Sequence, residues 1–129
     1  MNSFQQDLAC SIKAIGPQGQ IPNGGSAAVS AHGGATVEFW AKNNALVPGK
    51  FMWKGVVYRD GQKVQPDPPA AWITLKAGEL RKVGTQQVAF GYPSSQIEAR
   101  MLVDIGNFID ETNESNNKAN LKFTGSVIG

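Results

Sequence analysis

The polar segment 109–117, with the sequence IDETNESNN, offers more chemistry than any other part of the chain. It carries three carboxylates, three side-chain amides and two hydroxyl groups. Oxygen donors of these kinds are the ligands that calcium prefers in proteins. An EF-hand loop is excluded, because a loop counted from Asp110 has Ser115 in place of the required glycine and Leu121 in place of the last glutamate.

A looser calcium cage remains open. It would combine the end of one strand with the turn that follows it, and its candidate ligands are Asp104, Asn107, Glu111, Glu114 and Asn117. The alternative is a structural turn between two strands, where Asn and Asp side chains satisfy backbone groups locally and tolerate left-handed conformations. The turn is favoured, because it accounts for the asparagines as well as the acids. No cofactor is then required, and calcium stays the alternative.

Catalysis finds little support in the sequence. Acid–base or nucleophilic chemistry requires a positioned base beside a nucleophile or a proton source. His32 is the only histidine and lies in a glycine-rich segment. Cys10 falls on the apolar face of a predicted strand, where a small buried thiol is the ordinary interpretation. The sequence also lacks the nucleophile-elbow, zinc-protease, phosphate-loop and dinucleotide motifs. We therefore predict that the chain is not an enzyme and has no catalytic residue.

The three tryptophans are candidates for contact with a ligand. Exposed indole rings suit a sugar-stacking platform or an adhesive surface. Trp53 is expected in the core, as in immunoglobulin-like domains. Trp72 follows a proline-rich segment and is expected to be the most exposed. The candidate ligand surface therefore consists of Trp72, Trp40 and His32.

The composition is that of an ordinary globular domain. The chain has 129 residues, of which 41% are hydrophobic and 17% are charged. A chain of this size can bury a hydrophobic core without disulfides or structural metal ions. A net charge of +2 is too small to indicate a nucleic-acid partner. No apolar run approaches the roughly 20 residues that cross a membrane. A single cysteine cannot close an intrachain disulfide.

Alternation of apolar and polar residues dominates the sequence. It extends over the segments 35–43, 96–106 and 119–127, and is typical of strands with one face in water. The residues predicted to face the core are Ala35, Val37, Phe39 and Ala41 in the first segment, Ile97, Ala99, Met101, Val103 and Ile105 in the second, and Ala119, Leu121 and Phe123 in the third. Short strands separated by turn signals, without a convincing helix, predict an all-β antiparallel sandwich of about seven strands. We expect one domain over residues 1–129, with its core in 7–127.

Two local features refine this prediction. The segment 50–64 predicts two strands joined at Asp60-Gly61, because this pair tolerates the positive φ angles of a tight hairpin turn. The apolar period slips after Val83, which predicts a bulge near Gly84.

Two segments lack a strand period and are predicted to be loops. Residues 16–34 are long for a structureless connection, so a short strand is expected around residues 27–30. Residues 65–71 are rich in proline, which removes the donors of a central strand.

The order of these features resembles the CARDB family, the cell-adhesion-related domain of bacteria. The resemblance covers nearly the whole chain and rests on the stretches KNNALVPGKF, YRDGQKV, LKAGELRKV and MLVDIGNFIDETNESNN. The last is the most specific, since Asp104, Asn107 and the Glu-x-Asn-Glu-x-Asn-Asn order after Asp110 are similar to the family's strand-end pattern.

The resemblance implies an immunoglobulin-like β-sandwich without enzymatic activity of its own. It also implies a secreted or surface-exposed module for adhesion, docking or spacing of other domains, cut from a longer protein. Its partner is then a protein or a glycan at the cell surface, and the isolated domain is expected to be monomeric. A calcium-stabilised module and a carbohydrate-binding domain that uses exposed Trp residues and loops are the alternatives.

Overall fold

The computed structural model describes residues 8–30, 33–64, 71–104 and 118–128. These residues form strands and turns without a helix, as the alternation predicts. The strands are β1 (Leu8–Gly16), β2 (Gly19–Ile21), β3 (Ser26–Val29), β4 (Gly34–Asn43), β5 (Gly49–Arg59), β6 (Gln62–Lys63), β7 (Ala71–Leu75), β8 (Leu80–Ala89), β9 (Ser94–Asp104) and β10 (Lys118–Val127).

The strands form two sheets that pack face to face. One sheet has four strands in the order β2-β1-β4-β8. The other has six, in the order β3-β10-β9-β5-β6, with β7 also paired to β5. All pairs are antiparallel except β3 with β10, which is parallel. The short strands β2, β3 and β6 supplement seven longer ones, so the predicted all-β sandwich is confirmed.

Side-chain alternation determines which face of each sheet is buried. On β4 the odd-numbered residues from Ala35 to Ala41 are buried, and on β9 the same holds from Ile97 to Val103. The even-numbered residues of both strands point away from the core, as the period of two requires. The inward face predicted for each of these segments is confirmed over the described residues.

The predicted turn and bulge are both present. Asp60 and Gly61 have φ angles of 53° and 83° and connect β5 to β6. The pairing of β4 with β8 passes from Phe39↔Gly84 to Trp40↔Lys82, so Val83 is the extra residue of a bulge. Additional residues of this kind bend a strand and increase its twist.

The segment 16–34 contains more regular structure than the sequence indicated. The expected strand near residues 27–30 is present as β3, and β2 is a second one that the sequence did not predict. Residues 65–70 of the proline-rich loop lie outside the described part of the chain.

Three aromatic rings pack against glycines across the core. A Cβ atom on Gly55 would lie 2.8 Å from the ring of Phe39, and one on Gly84 would lie 2.5 Å from the indole of Trp53. Gly125 is similarly covered by the ring of Phe90. Each pair joins the four-stranded side of the core to the six-stranded side, so the missing side chains allow the two sheets to approach closely.

Asn43, the last residue of β4, connects three segments at one end of the sandwich. Its side chain is 0% exposed. The Nδ2 group donates to the carbonyl oxygens of Val47 (2.9 Å) and Leu75 (3.2 Å), and Oδ1 accepts from the backbone N–H of Ala45 (3.0 Å). The neighbouring Asn44 is exposed. Buried backbone groups need such partners, so Asn43 holds the loop after β4 against the end of β7.

Candidate functional site

The outward face of the six-stranded sheet carries the most exposed tryptophan. Trp72 on β7 is 48% exposed and lies opposite Met52 of β5, which is 36% exposed. The Nζ atom of Lys50 lies 5.7 Å from the centre of the Trp72 ring. The prediction that Trp72 is exposed is confirmed.

A shallow groove lies on the same face, across β5, β9 and β10. Its volume is about 440 Å³. Its outward-pointing residues are Val56, Leu102, Lys54, Lys118, Arg100 and Asn120. Sequence reasoning missed this groove, although a signal was present: Leu102 is apolar at a position where the alternation of β9 requires a polar residue.

A hydrogen-bonded cluster borders the groove. The Arg100 guanidinium donates two bonds to the Glu98 carboxylate, at 3.0 and 3.2 Å, and Asn120 donates a third at 2.7 Å. The bonds from Arg100 and then Asn120 hold the pKa of the Glu98 carboxyl below its usual range. Arg100 also stacks on the ring of Tyr58, with 4.9 Å from its Cζ atom to the ring centre. The cluster fixes Arg100 in one orientation at the edge of the groove.

Trp40 lies on the outward face of the other sheet. Its indole N–H donates to the Glu38 carboxylate at 3.1 Å, and the Nζ atom of Lys13 lies 4.6 Å above the ring. Glu38 also pairs with Lys82 at 3.7 Å. The ring is half-buried, and its polar group and one face are already engaged within the chain.

The structure does not bring the tryptophans together. Trp53 is 3% exposed and lies in the core as predicted, whereas Trp40 and Trp72 lie on opposite outer faces of the sandwich. A single stacking platform made of these rings is therefore not formed. His32, the third residue of the predicted ligand surface, lies outside the described residues.

Most of the candidate calcium ligands also lie outside the described residues, namely Asn107, Glu111, Glu114 and Asn117. The backbone of Asp104 ends β9, opposite Met52. Within the described ranges, no group of three or more His, Cys, Asp or Glu side chains is placed to hold a metal ion. The five predicted ligands thus remain a prediction from the sequence.

Cys10 lies on β1 with its side chain half-buried and packed against the hydrophobic core. This agrees with its interpretation as a small core residue. None of the described residues forms a helix that is long and apolar enough to cross a membrane.

An antiparallel sandwich of this topology, with a core of alternating side chains, defines the class of the protein as an all-β module. Comparison with solved structures makes the class more specific. The chain is similar to the CARDB domain of a Pyrococcus furiosus protein, crystallised in complex with di-metal ions, with a TM-score of 0.60 and 23% sequence identity over 99% of this chain and 93% of that one. A solution NMR structure of that CARDB domain has a TM-score of 0.59 and 20% identity, covering 96% of each chain.

A scan against protein-family models gives no match, and a search of curated proteins gives none either. At the identities found, the likeness establishes the fold. The chain has the CARDB-type, immunoglobulin-like β-sandwich fold, and the resemblance inferred from the sequence is confirmed at that level.

Proposed function

We propose that this domain is a non-catalytic extracellular or cell-surface module that docks or spaces other domains or adheres to a protein or glycan partner. The observation that carries the proposal is the match in fold to a CARDB domain over 99% of the chain. The surface is consistent with it, because a shallow apolar groove and an exposed indole ring lie on one sheet face. Flat sheet faces of this kind suit binding of a partner better than enclosure of a substrate.

Accessibility on intact cells tests the location. Cells that produce the protein are treated with a membrane-impermeant biotin ester, which reacts with exposed lysines such as Lys54 and Lys118. Labelling of the protein before lysis, with a cytosolic protein unlabelled as the control, is the expected result. Labelling only after lysis would place the protein inside the cell and contradict the proposal.

A calcium-stabilised module is the second candidate, favoured by one specific observation. The similar Pyrococcus domain was crystallised in complex with di-metal ions, and this chain carries the candidate oxygen ligands Asp104, Asn107, Glu111, Glu114 and Asn117. A metal that binds only the folded state stabilises it according to its concentration. In this case the acidic segment would bind the ion rather than serve only as a turn.

The test is thermal unfolding of chelator-treated protein in a calcium titration. If a site exists, millimolar calcium raises the melting temperature by several degrees, since a concentration of about 100 times Kd adds about 2.7 kcal/mol. The Glu111→Ala and Glu114→Ala variants should then lose the response, while Glu79→Ala, in a turn far from the segment in sequence, should keep it. An unchanged midpoint would reject the metal site and leave the structural turn.

A further inference from the structure

The groove on the six-stranded sheet has an apolar floor between two lysines. The register pairs Lys54 of β5 with Leu102 of β9, and Leu102 with Lys118 of β10. One row across three strands is therefore lysine, leucine, lysine. In the next row Val56 lies beside Arg100. Val56 and the aliphatic part of the Arg100 side chain extend the apolar floor.

The two lysines are the cations of this groove that no described residue neutralises. Arg100 is held by Glu98 in two hydrogen bonds, so its charge is largely compensated. Lys54 and Lys118 are exposed, and neither forms an ion pair with a residue in the described ranges.

The other sheet provides a comparison within the same molecule. There, Lys13 covers the Trp40 ring and Lys82 pairs with Glu38. Both of these cations, the indole N–H and the carboxylate are engaged with one another. The surroundings of Trp40 and the groove thus have similar residue types, but the described residues leave the two lysines of the groove unpaired and its apolar surface exposed.

The spacing of the lysines defines the ligand they fit. Neighbouring strands lie about 4.8 Å apart, so the backbones of Lys54 and Lys118 are separated by roughly 10 Å. Side chains of an extended peptide alternate between its two faces and rise about 3.3 Å per residue, so residues four positions apart lie on one face about 13 Å apart. Two carboxylates at that spacing would reach the two flexible lysine side chains, and the apolar side chain midway between them on the same face would lie on Leu102 and Val56.

From this geometry we infer that the groove binds an extended acidic segment of a partner protein, in which two carboxylates four residues apart flank an apolar side chain on the same face. The inference rests on the proposed docking function and specifies its partner. The apolar floor favours a peptide over a polyanionic glycan, because a sugar chain has no aliphatic side chains to bury there.

The probe is the peptide Gly-Glu-Ser-Leu-Ser-Glu-Gly, titrated into the isotope-labelled domain and followed by the backbone amide shifts. Peptides with Lys for both Glu, or Ser for Leu, are the controls. We expect saturable shifts at Lys54, Val56, Leu102 and Lys118 with a Kd of about 1 mM or tighter. Raising the salt concentration from about 50 mM to about 500 mM should weaken binding several-fold.

The double variant Lys54→Glu/Lys118→Glu should bind at least about tenfold more weakly, which corresponds to about 1.4 kcal/mol. Lys42→Glu makes the same kind of charge change on the exposed surface of β4 and should leave the affinity unchanged. All three substitutions are at exposed positions, and an unchanged amide spectrum outside the groove verifies the fold.

Three results would overturn the inference. One is the absence of shifts at about 5 mM peptide, well above the expected Kd; another is equal binding of either control peptide. The third is the same pattern of shifts with an oligogalacturonate, which would identify a polyanion surface. If the protein is biotinylated on intact cells but its groove does not bind the peptide, only this inference is overturned. If the groove binds the peptide but the protein is cytosolic, only the proposed function is contradicted.

Discussion

Replacing Asn43 with alanine is expected to lower the free energy of unfolding by about 3 kcal/mol, because each buried polar group that loses its partner costs roughly 1–3 kcal/mol. The change would leave the carbonyl groups of Val47 and Leu75 and the N–H of Ala45 without the bonds that Asn43 now supplies. Urea unfolding measures the loss. Asn44→Ala, at the exposed neighbouring position, is the matched control and should change the free energy by less than about 0.5 kcal/mol.

Asn43→Asp adds a test by pH. An ionised carboxylate keeps the bond from Ala45 but cannot donate to the two carbonyl oxygens, and its burial raises the pKa of the introduced carboxyl. The pKa of this carboxyl is then higher in the folded state than the value of about 3.9 in the unfolded state. The variant is therefore least destabilised at low pH, and it loses stability as the pH rises above about 3.9. A variant as stable as Asn44→Asp at pH near 7 would show that the Asn43 side chain is not buried as described.

Gly84→Ala is expected to cost a similar amount, about 3 kcal/mol, the upper end of the usual cost of overpacking a core. The new Cβ would lie 2.5 Å from Cη2 and 2.6 Å from Cζ2 of Trp53. The indole cannot move away easily, since it is 3% exposed and packs on Phe39 with the ring centres 5.5 Å apart. Chemical denaturation measures the loss, and Gly91→Ala, whose Cβ would meet only the Ser95 hydroxyl at 3.1 Å, is the milder control.

A double-mutant cycle with Trp53→Phe separates this clash from other effects of the alanine. Phenylalanine lacks the outer ring atoms that the new methyl group would meet, and the Trp53 indole N–H has no hydrogen-bond partner among the described residues. In the Trp53→Phe background the cost of Gly84→Ala should fall below about 1 kcal/mol, with a coupling energy of about 2 kcal/mol. Additive costs would mean that Gly84 and Trp53 are not in contact.

The sequence predicted the inner faces of the long strands well, because burial on one side of a sheet imposes a period of two on the chain. Phe39 and Ile97 were assigned to the core from alternation alone, and both are buried. The Asp60-Gly61 turn followed from backbone sterics and the bulge beside Gly84 from a slip in the apolar period, and both signals are local. These features need no knowledge of which strands are neighbours.

The contacts between strands were not predictable in the same way. Asn43 continues the inward period of β4, but its partners Val47 and Leu75 depend on how the sandwich closes at that end. Gly55 and Gly84 occupy inward positions for a reason that appears only when the aromatic rings of the opposite sheet are in place. From the sequence of a single strand, a glycine indicates only a destabilised strand or a bulge.

The candidate surface was predicted only in part, for a related reason. Alternation identifies Trp40 as an outward residue, and the proline-rich segment before Trp72 predicts its exposure, but neither signal can say that the two rings belong to different sheets. The lysine–leucine–lysine row was hidden as well, because Lys54, Leu102 and Lys118 come from three strands and meet only through their register.

Aromatic rings packed on glycines join the two sheets, and the outward residues of the sheets remain at the surface. The most direct measurement is a nuclear Overhauser spectrum of the folded domain. It should show contacts from the Trp53 ring to the Hα protons of Gly84, and from the Phe39 ring to those of Gly55. The absence of these contacts, together with rapid solvent exchange of the Trp53 indole proton, would contradict the arrangement.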